Sequence, residues 1–314
     1  MFMSVVRASI LMISLLATLT PAIAQPVEPA EPPPTIAPPA TGAPPDKVDD
    51  AKDVAKKASL TPIVPSPGDV SRPAFQLYAE IDIPVVAVGV VFSFARLVKN
   101  QPAYCAPTCD QAELSRIDRL TAGNWSPGWS SASDYALYGL AGLGVGLLLV
   151  DEGVLPALND GVVLFESVMS ATAVASIMTI AAGRPRPFLY GDPNDPSSYK
   201  APLSDRNSGN AGLSFLSSHT AMAFALATSL YVTQRRLHPS GNRSKLVLGI
   251  GLGVASFVGM ARVMSGFHFI TDVAGGAVVG SSVGVLISSI HKSPVTVVPI
   301  VTDTTRGAAV QATF

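Results

Sequence analysis

The sequence predicts an all-α protein: an antiparallel helical bundle of about six apolar helices, embedded in a membrane, with a short C-terminal β-hairpin. Three observations predict it. Of the 314 residues, 48% are hydrophobic and only 14% charged, too apolar for an ordinary water-soluble domain. Six apolar segments follow one another near 81–98, 133–150, 161–182, 217–233, 245–264 and 269–290. Two stretches, Leu137 to Val150 and Val273 to Ile290, carry almost no polar stripe, whereas a soluble bundle keeps polar faces on its outer helices. Segments this short also fit fully buried helices, so a compact soluble bundle is the competing reading.

In chain order, residues 1–24 open with Arg7, an apolar run from Ala8 to Leu19, and the small-residue site Pro21-Ala22-Ile23-Ala24. This is the layout of a secretory signal peptide. It predicts an exported chain, held in the inner membrane with a periplasm-facing site or lying in the periplasm. Residues 25–70 begin with a proline-rich run that cannot bury enough apolar surface to order itself, and read as a disordered linker. The helical domain is expected over 71–293 and a β-prone tail over 294–314. The tail holds two strand-like runs around Asp303-Thr-Thr-Arg-Gly.

Cys105 and Cys109 are the only cysteines, and in an oxidising compartment they predict a small disulfide staple. Two thiols without a neighbouring histidine are half of a four-ligand zinc site, so neither a metal nor any other cofactor is expected. A net charge of −1 gives no electrostatic footprint for nucleic acid. On the last segment Gly276, Gly280 and Gly284 recur every four residues, which places them on one helix face for close packing.

Strongly polar residues at the ends of apolar helices mark candidate sites. Three clusters qualify: Gly183-Arg184-Pro185-Arg186-Pro187 after the third segment, Ser217-Ser218-His219 opening the fourth, and Arg262 through Asp272 joining the fifth and sixth. In an antiparallel bundle these ends lie on one side. Arg186 and Arg262, helped by Arg184, offer forked donors suited to a tetrahedral oxyanion, and the start of the fourth helix adds backbone N–H groups. The expected ligand is a phosphate. His268 and Asp272 are four residues apart; on a helix they share a face, so the carboxylate accepts from one imidazole nitrogen and leaves the other as a nucleophile. His219 is then the proton donor and later the base that activates water. His238 and His291, in basic connecting stretches, read as surface residues, and Asp160 and Glu166 as pairing residues.

The three clusters resemble the signature of the type 2 phosphatidic acid phosphatase and vanadium haloperoxidase superfamily: Lys-x6-Arg-Pro, Pro-Ser-Gly-His, and Ser-Arg-x5-His-x3-Asp. Residues 179–272 carry the likeness, through Arg186-Pro187, Ser217 and His219, and Arg262, His268 and Asp272. The resemblance implies that His268 forms a phosphohistidine, His219 is the general acid, Asp272 orients His268, and Arg186, Arg262 and Ser217 hold phosphate. Four positions depart from it: Thr179 replaces the lysine, Leu216 and Ser218 flank Ser217, and Ala261 precedes Arg262. One phosphate cation is therefore missing, a loss of the order of 100 to 1000-fold in rate unless Arg184 compensates.

The expected activity is metal-independent hydrolysis of a phosphate ester on a phosphorylated small molecule or lipid, a lipid phosphate or diphosphate suiting a membrane site. The alternatives are a vanadium-dependent haloperoxidase and a catalytically impaired protein that binds phosphate headgroups in the membrane. One conflict stays open at this level. Arg235, Arg236, Arg243 and Lys245 form the densest positive loop and belong in the cytoplasm, which puts residue 77 inside as well if all six segments span. A cleaved leader puts it outside. Either cleavage, six spans or the charge rule gives way, with the segment at 81–98 the weakest span.

Overall fold

The structure, a computed structural model, describes residues 73–99, 101–291, 296–301 and 306–311. The expected signal peptide and proline-rich linker lie outside the described residues. Helix α1 runs Ala79–Val98, with Pro84 inside it. A two-residue strand β1 (Cys109–Asp110) and a single turn of helix, α2 (Arg116–Arg119), precede α3 (Pro127–Glu152), whose first residue is a proline, the position where its missing N–H costs nothing. Gly153, at φ 75°, turns the chain into α4 (Val154–Ala182), and Gly183, at φ 56°, ends that helix in the left-handed conformation. Strand β2 (Tyr190–Gly191) and the short α5 (Leu203–Arg206) lead to α6 (Ser218–Leu237), α7 (Arg243–Met264) and α8 (Ile270–Ile290). Strands β3 (Thr296–Val301) and β4 (Arg306–Gln311) pair antiparallel.

The protein is mostly helical, and α3, α4, α7 and α8 are long and apolar enough to cross a membrane by length and composition. Their outer faces are unshielded by protein: Leu143 is 64% exposed, Leu246 63% and Val278 67%. Helix α6 differs. It packs against α3, α4, α7 and α8 and buries Ala221, Ala223, Ala225, Ser229, Thr233 and Gln234. Its modest hydropathy follows from that place, because its hydroxyls find protein partners instead of lipid. Ser229 Oγ is 2.7 Å from Ser288 Oγ of α8, and Ser167 Oγ of α4 donates to it at 3.3 Å.

The glycine stripe of α8 lies against α6. A Cβ on Gly276 would stand 2.6 Å from the Ser217 carbonyl oxygen, and one on Gly280 or Gly284 would meet the backbone at Ala221 or Ala225. Helix α1 is pinned to α4 by Ser93, whose hydroxyl donates to the Met169 carbonyl at 3.0 Å, and by Ser176, which donates to the Ser93 carbonyl at 3.2 Å.

Residues 101–126 and 187–216 form a cap over one end of the bundle. Its core is Cys109, Leu114, Phe188, Leu189, Tyr190, Ala211 and Phe269. Strands β1 and β2 pair in parallel within it, and Cys105 and Cys109 are disulfide-bonded. The sequence reading had no account of this cap, which holds the polar clusters in place.

Candidate active site

The three clusters meet at the capped end. Ser217 N–H donates to the Asp272 carbonyl at 3.2 Å, Ser214 N–H to the Arg184 carbonyl at 3.0 Å, and His268 N–H to the Arg262 carbonyl at 3.4 Å. Backbone bonds therefore tie the end of α4, the start of α6 and the α7–α8 junction to one another.

His268 lies just before α8, in the junction, and is 2% exposed. Its Nδ1 is 2.6 Å from the Ser214 carbonyl oxygen. A carbonyl only accepts, so Nδ1 carries the hydrogen and the neutral ring keeps its lone pair on Nε2. Burial pushes the His268 pKa well below the ordinary 6.5, and the nearby guanidiniums of Arg262 and Arg186 push it the same way, as does His219. The ring is thus neutral at pH 7, with a nucleophilic Nε2.

The pairing of His268 with Asp272 needs correction. His268 is not helical, and its Nδ1 is 3.9 Å from Asp272 Oδ2, beyond hydrogen-bond reach. Asp272 accepts instead from Ser214 Oγ at 2.5 Å, from Phe269 N–H at 2.8 Å and from Arg184 Nη1 at 2.5 Å. It caps α8 and holds Ser214, whose carbonyl sets the His268 ring. Asp272 orients the histidine through Ser214.

Arg184, expected as a phosphate helper, is paired with two protein carboxylates. Its Nη1 donates to Asp272 and, at 2.8 Å, to Thr271 Oγ1; its Nη2 donates to Asp118 Oδ2 at 2.8 Å, and the group lies 4.2 Å from the Phe269 ring centroid. These bonds make it a strut between α2, α4 and α8. Burial pushes the Asp118 carboxyl up, but hydrogen bonds from Arg184 and Thr271 outweigh it and hold the group below the usual carboxylate range. Ser217, expected to hold phosphate, is the cap residue of its helix. It is fully buried at the N-cap of α6, its hydroxyl 2.9 Å from Thr220 Oγ1.

Arg186 and Arg262, the expected phosphate ligands, share one aromatic neighbour. Both guanidinium carbons stand over Phe267, 4.7 and 4.6 Å from the ring centroid. Arg262 Nη1 donates to Ser130 Oγ at 3.1 Å and reaches Ser133 Oγ at 3.4 Å. His219, in the first turn of α6, has its Nε2 2.9 Å from Asp134 Oδ1 of α3. The carboxylate accepts, so Nε2 donates and the ring is oriented by a partner on another helix. In the lysine position, Thr179 is buried and donates to the Leu216 carbonyl at 3.1 Å, which anchors the loop before α6 without supplying charge.

Sequence reasoning missed Asp134, Ser214 and Asp118. A signal existed for the first: Asp134 is the single charged residue between Pro127 and Val150, and a lone carboxylate in an apolar helix marks a site. Ser214 and Asp118 lie in the cap, where nothing in the local pattern separates them from ordinary loop residues. His291 was read as a surface residue, yet it is 6% exposed beside Asp82 and Glu166.

The site sets a buried imidazole beside two guanidiniums at the end of a helical bundle with bare apolar faces. Residues 160–294 match the family model of the PAP2 superfamily. The chain is 41% identical over 81 residues to a lipid A 1-phosphatase of Porphyromonas gingivalis; the match covers 26% of this chain and 17% of that protein's length. Among solved structures it resembles a transmembrane PAP2-type phosphatidylglycerolphosphate phosphatase from Bacillus subtilis, at 18% identity and a TM-score of 0.39, over 66% of this chain and 94% of that one.

Proposed function

We propose that this protein is a metal-independent phosphatase that hydrolyses a lipid phosphate or diphosphate through a phosphohistidine. The observation that carries the reading is the His268 ring, fixed by the Ser214 carbonyl with its Nε2 lone pair available beside Arg186 and Arg262. In the first step Nε2 attacks phosphorus, the bond to the leaving oxygen breaks, and His219 gives that oxygen its proton. In the second, His219 takes a proton from water, the hydroxide attacks phosphorus, and the N–P bond breaks to release inorganic phosphate. Arg186 and Arg262 stabilise the charge that develops on the equatorial oxygens.

A lipid substrate is supported by the bare apolar faces of α3, α4, α7 and α8 and by the name of the bacterial relative. Residues 71–293 form the catalytic domain, with all six long helices in or against the bilayer, α6 shielded at the centre and the β3–β4 hairpin outside it. Residues 1–24 are a signal peptide, 25–70 a linker, and the capped end faces the periplasm.

Phosphate release from phosphatidic acid, a prenyl diphosphate and a lipid A-type glycosyl phosphate tests this in detergent micelles. His268→Ala is expected to lose more than about 1000-fold and His219→Ala about 100 to 10,000-fold. With an aryl phosphate, whose leaving group needs no proton, His219→Ala is expected to accumulate a phosphoenzyme that is labile in acid and stable in base. An acid-stable adduct, or full turnover by His268→Ala, would overturn the mechanism. Vanadate-dependent bromination would point to haloperoxidase chemistry instead.

A further inference from the structure

Three ligating side chains from three elements meet near the end of α8 remote from the active site, about 30 Å of helix away. Asp82 from the first turn of α1, Glu166 from α4 and His291 at the close of α8 are 5%, 1% and 6% exposed. One ligand atom of each lies within 4.8 Å of the others. His291 Nε2 is 3.2 Å from Asp82 Oδ1 and 3.4 Å from Glu166 Oε2. Among the described residues, the buried Glu166 Oε2 has no hydrogen-bond partner. The other ring nitrogen fixes the tautomer: Nδ1 is 2.7 Å from the Ile287 carbonyl oxygen, which only accepts, so Nδ1 carries a hydrogen. In the neutral ring, Nε2 is then a lone pair aimed at two carboxylate oxygens. Three electron-rich atoms converging in a buried place call for a cation or a shared proton among them.

We propose that Asp82, Glu166 and His291 bind a divalent first-row transition metal ion, zinc being the simplest fit, which clips α1 to α4 and α8. Ligands about 2.1 Å from a tetrahedral ion stand about 3.4 Å apart, close to the two measured separations from Nε2. One imidazole with two carboxylates selects zinc, cobalt or manganese over the all-oxygen sets of magnesium and calcium. The supporting contacts of a metal site are present. Ile287 holds the His291 ring through Nδ1, and the Tyr78 N–H donates to Asp82 Oδ2 at 2.6 Å, leaving Oδ1 for the ion. Two carboxylates, a neutral imidazole and a divalent ion sum to zero charge, which suits burial. The near cation is Arg236, which donates to the His291 carbonyl at 2.8 Å and lies over Phe75, with Asp160 within electrostatic range of it. The rival occupant is a proton, which would make His291 an imidazolium shared by the two acids. The clip is separate from the phosphatase chemistry and leaves that chemistry metal-free.

The test uses the full chain purified in detergent without a histidine tag. Metal content by mass spectrometry, visible absorption on adding Co²⁺, and the melting midpoint with Zn²⁺ against EDTA are measured for wild type, Glu166→Gln and His291→Ala. Wild type is expected to hold one ion per chain, to give the ligand-field bands of four-coordinate cobalt, and to melt several degrees higher with Zn²⁺. Both variants are expected to lose all three responses, with phosphate release within a few-fold of wild type. Should His291→Ala fail to fold, the near-isosteric Glu166→Gln carries the comparison. If wild type takes up no more Zn²⁺ or Co²⁺ than Glu166→Gln, the site is a proton-bridged ion pair and the proposal falls.

Discussion

His268 and the two arginines beside it link geometry to a pH profile. The proposed nucleophile must be unprotonated, and burial with Arg262 and Arg186 nearby lowers the His268 pKa, so on that mechanism the acid limb of kcat/KM belongs below the ordinary imidazole value. Arg186→Gln removes one of those cations; the limb is expected to move up toward 6.5 while the rate falls about 100 to 1000-fold. An unmoved limb would separate it from His268. Arg184 belongs to a different kind of residue. Arg184→Ala leaves the buried carboxylates of Asp118 and Asp272 without their cation, and is expected to lower stability by about 2 to 4 kcal/mol. Thermal unfolding in detergent reads that loss, whereas Arg186→Gln is expected to leave the midpoint nearly unchanged. Thr179→Val, which removes the hydroxyl bonded to the Leu216 carbonyl, is expected to cost about 1 kcal/mol.

At the scale of elements, the contact between α6 and α8 positions both histidines, because His219 opens one helix and His268 immediately precedes the other. Glycine at 276, 280 and 284 lets the two backbones approach, and a side chain there has nowhere to go. Gly280→Leu is expected to force the helices apart and cost more than about 3 kcal/mol, with activity lost even in chains that still insert. A stable, active Gly280→Leu protein would show that the close approach is dispensable. The stripe itself was legible, since a four-residue glycine period in an apolar helix has few other uses. The partner helix was not, because any neighbour with a small-residue face would satisfy it.

For the whole molecule, the bare apolar faces of α3, α4, α7 and α8 suit a bilayer. The protein is expected in the membrane pellet after carbonate washing, released by detergent alone. Recovery in a soluble periplasmic extract would sink the membrane placement and the lipid substrate together. The apolar segments, the disulfide pair and the residues of the three clusters could all be read from the chain, because each depends on local composition and short spacing. Which groups pair was decided only by tertiary structure. Asp134 lies 85 residues from His219, and Ser214 54 from His268. Asp272 turned from His268 to Ser214, and Arg184 found Asp118, because the cap brought partners nearer than the sequence neighbour. The chain by itself determined which polar side chains stand at the capped end; packing determined which of them hold one another.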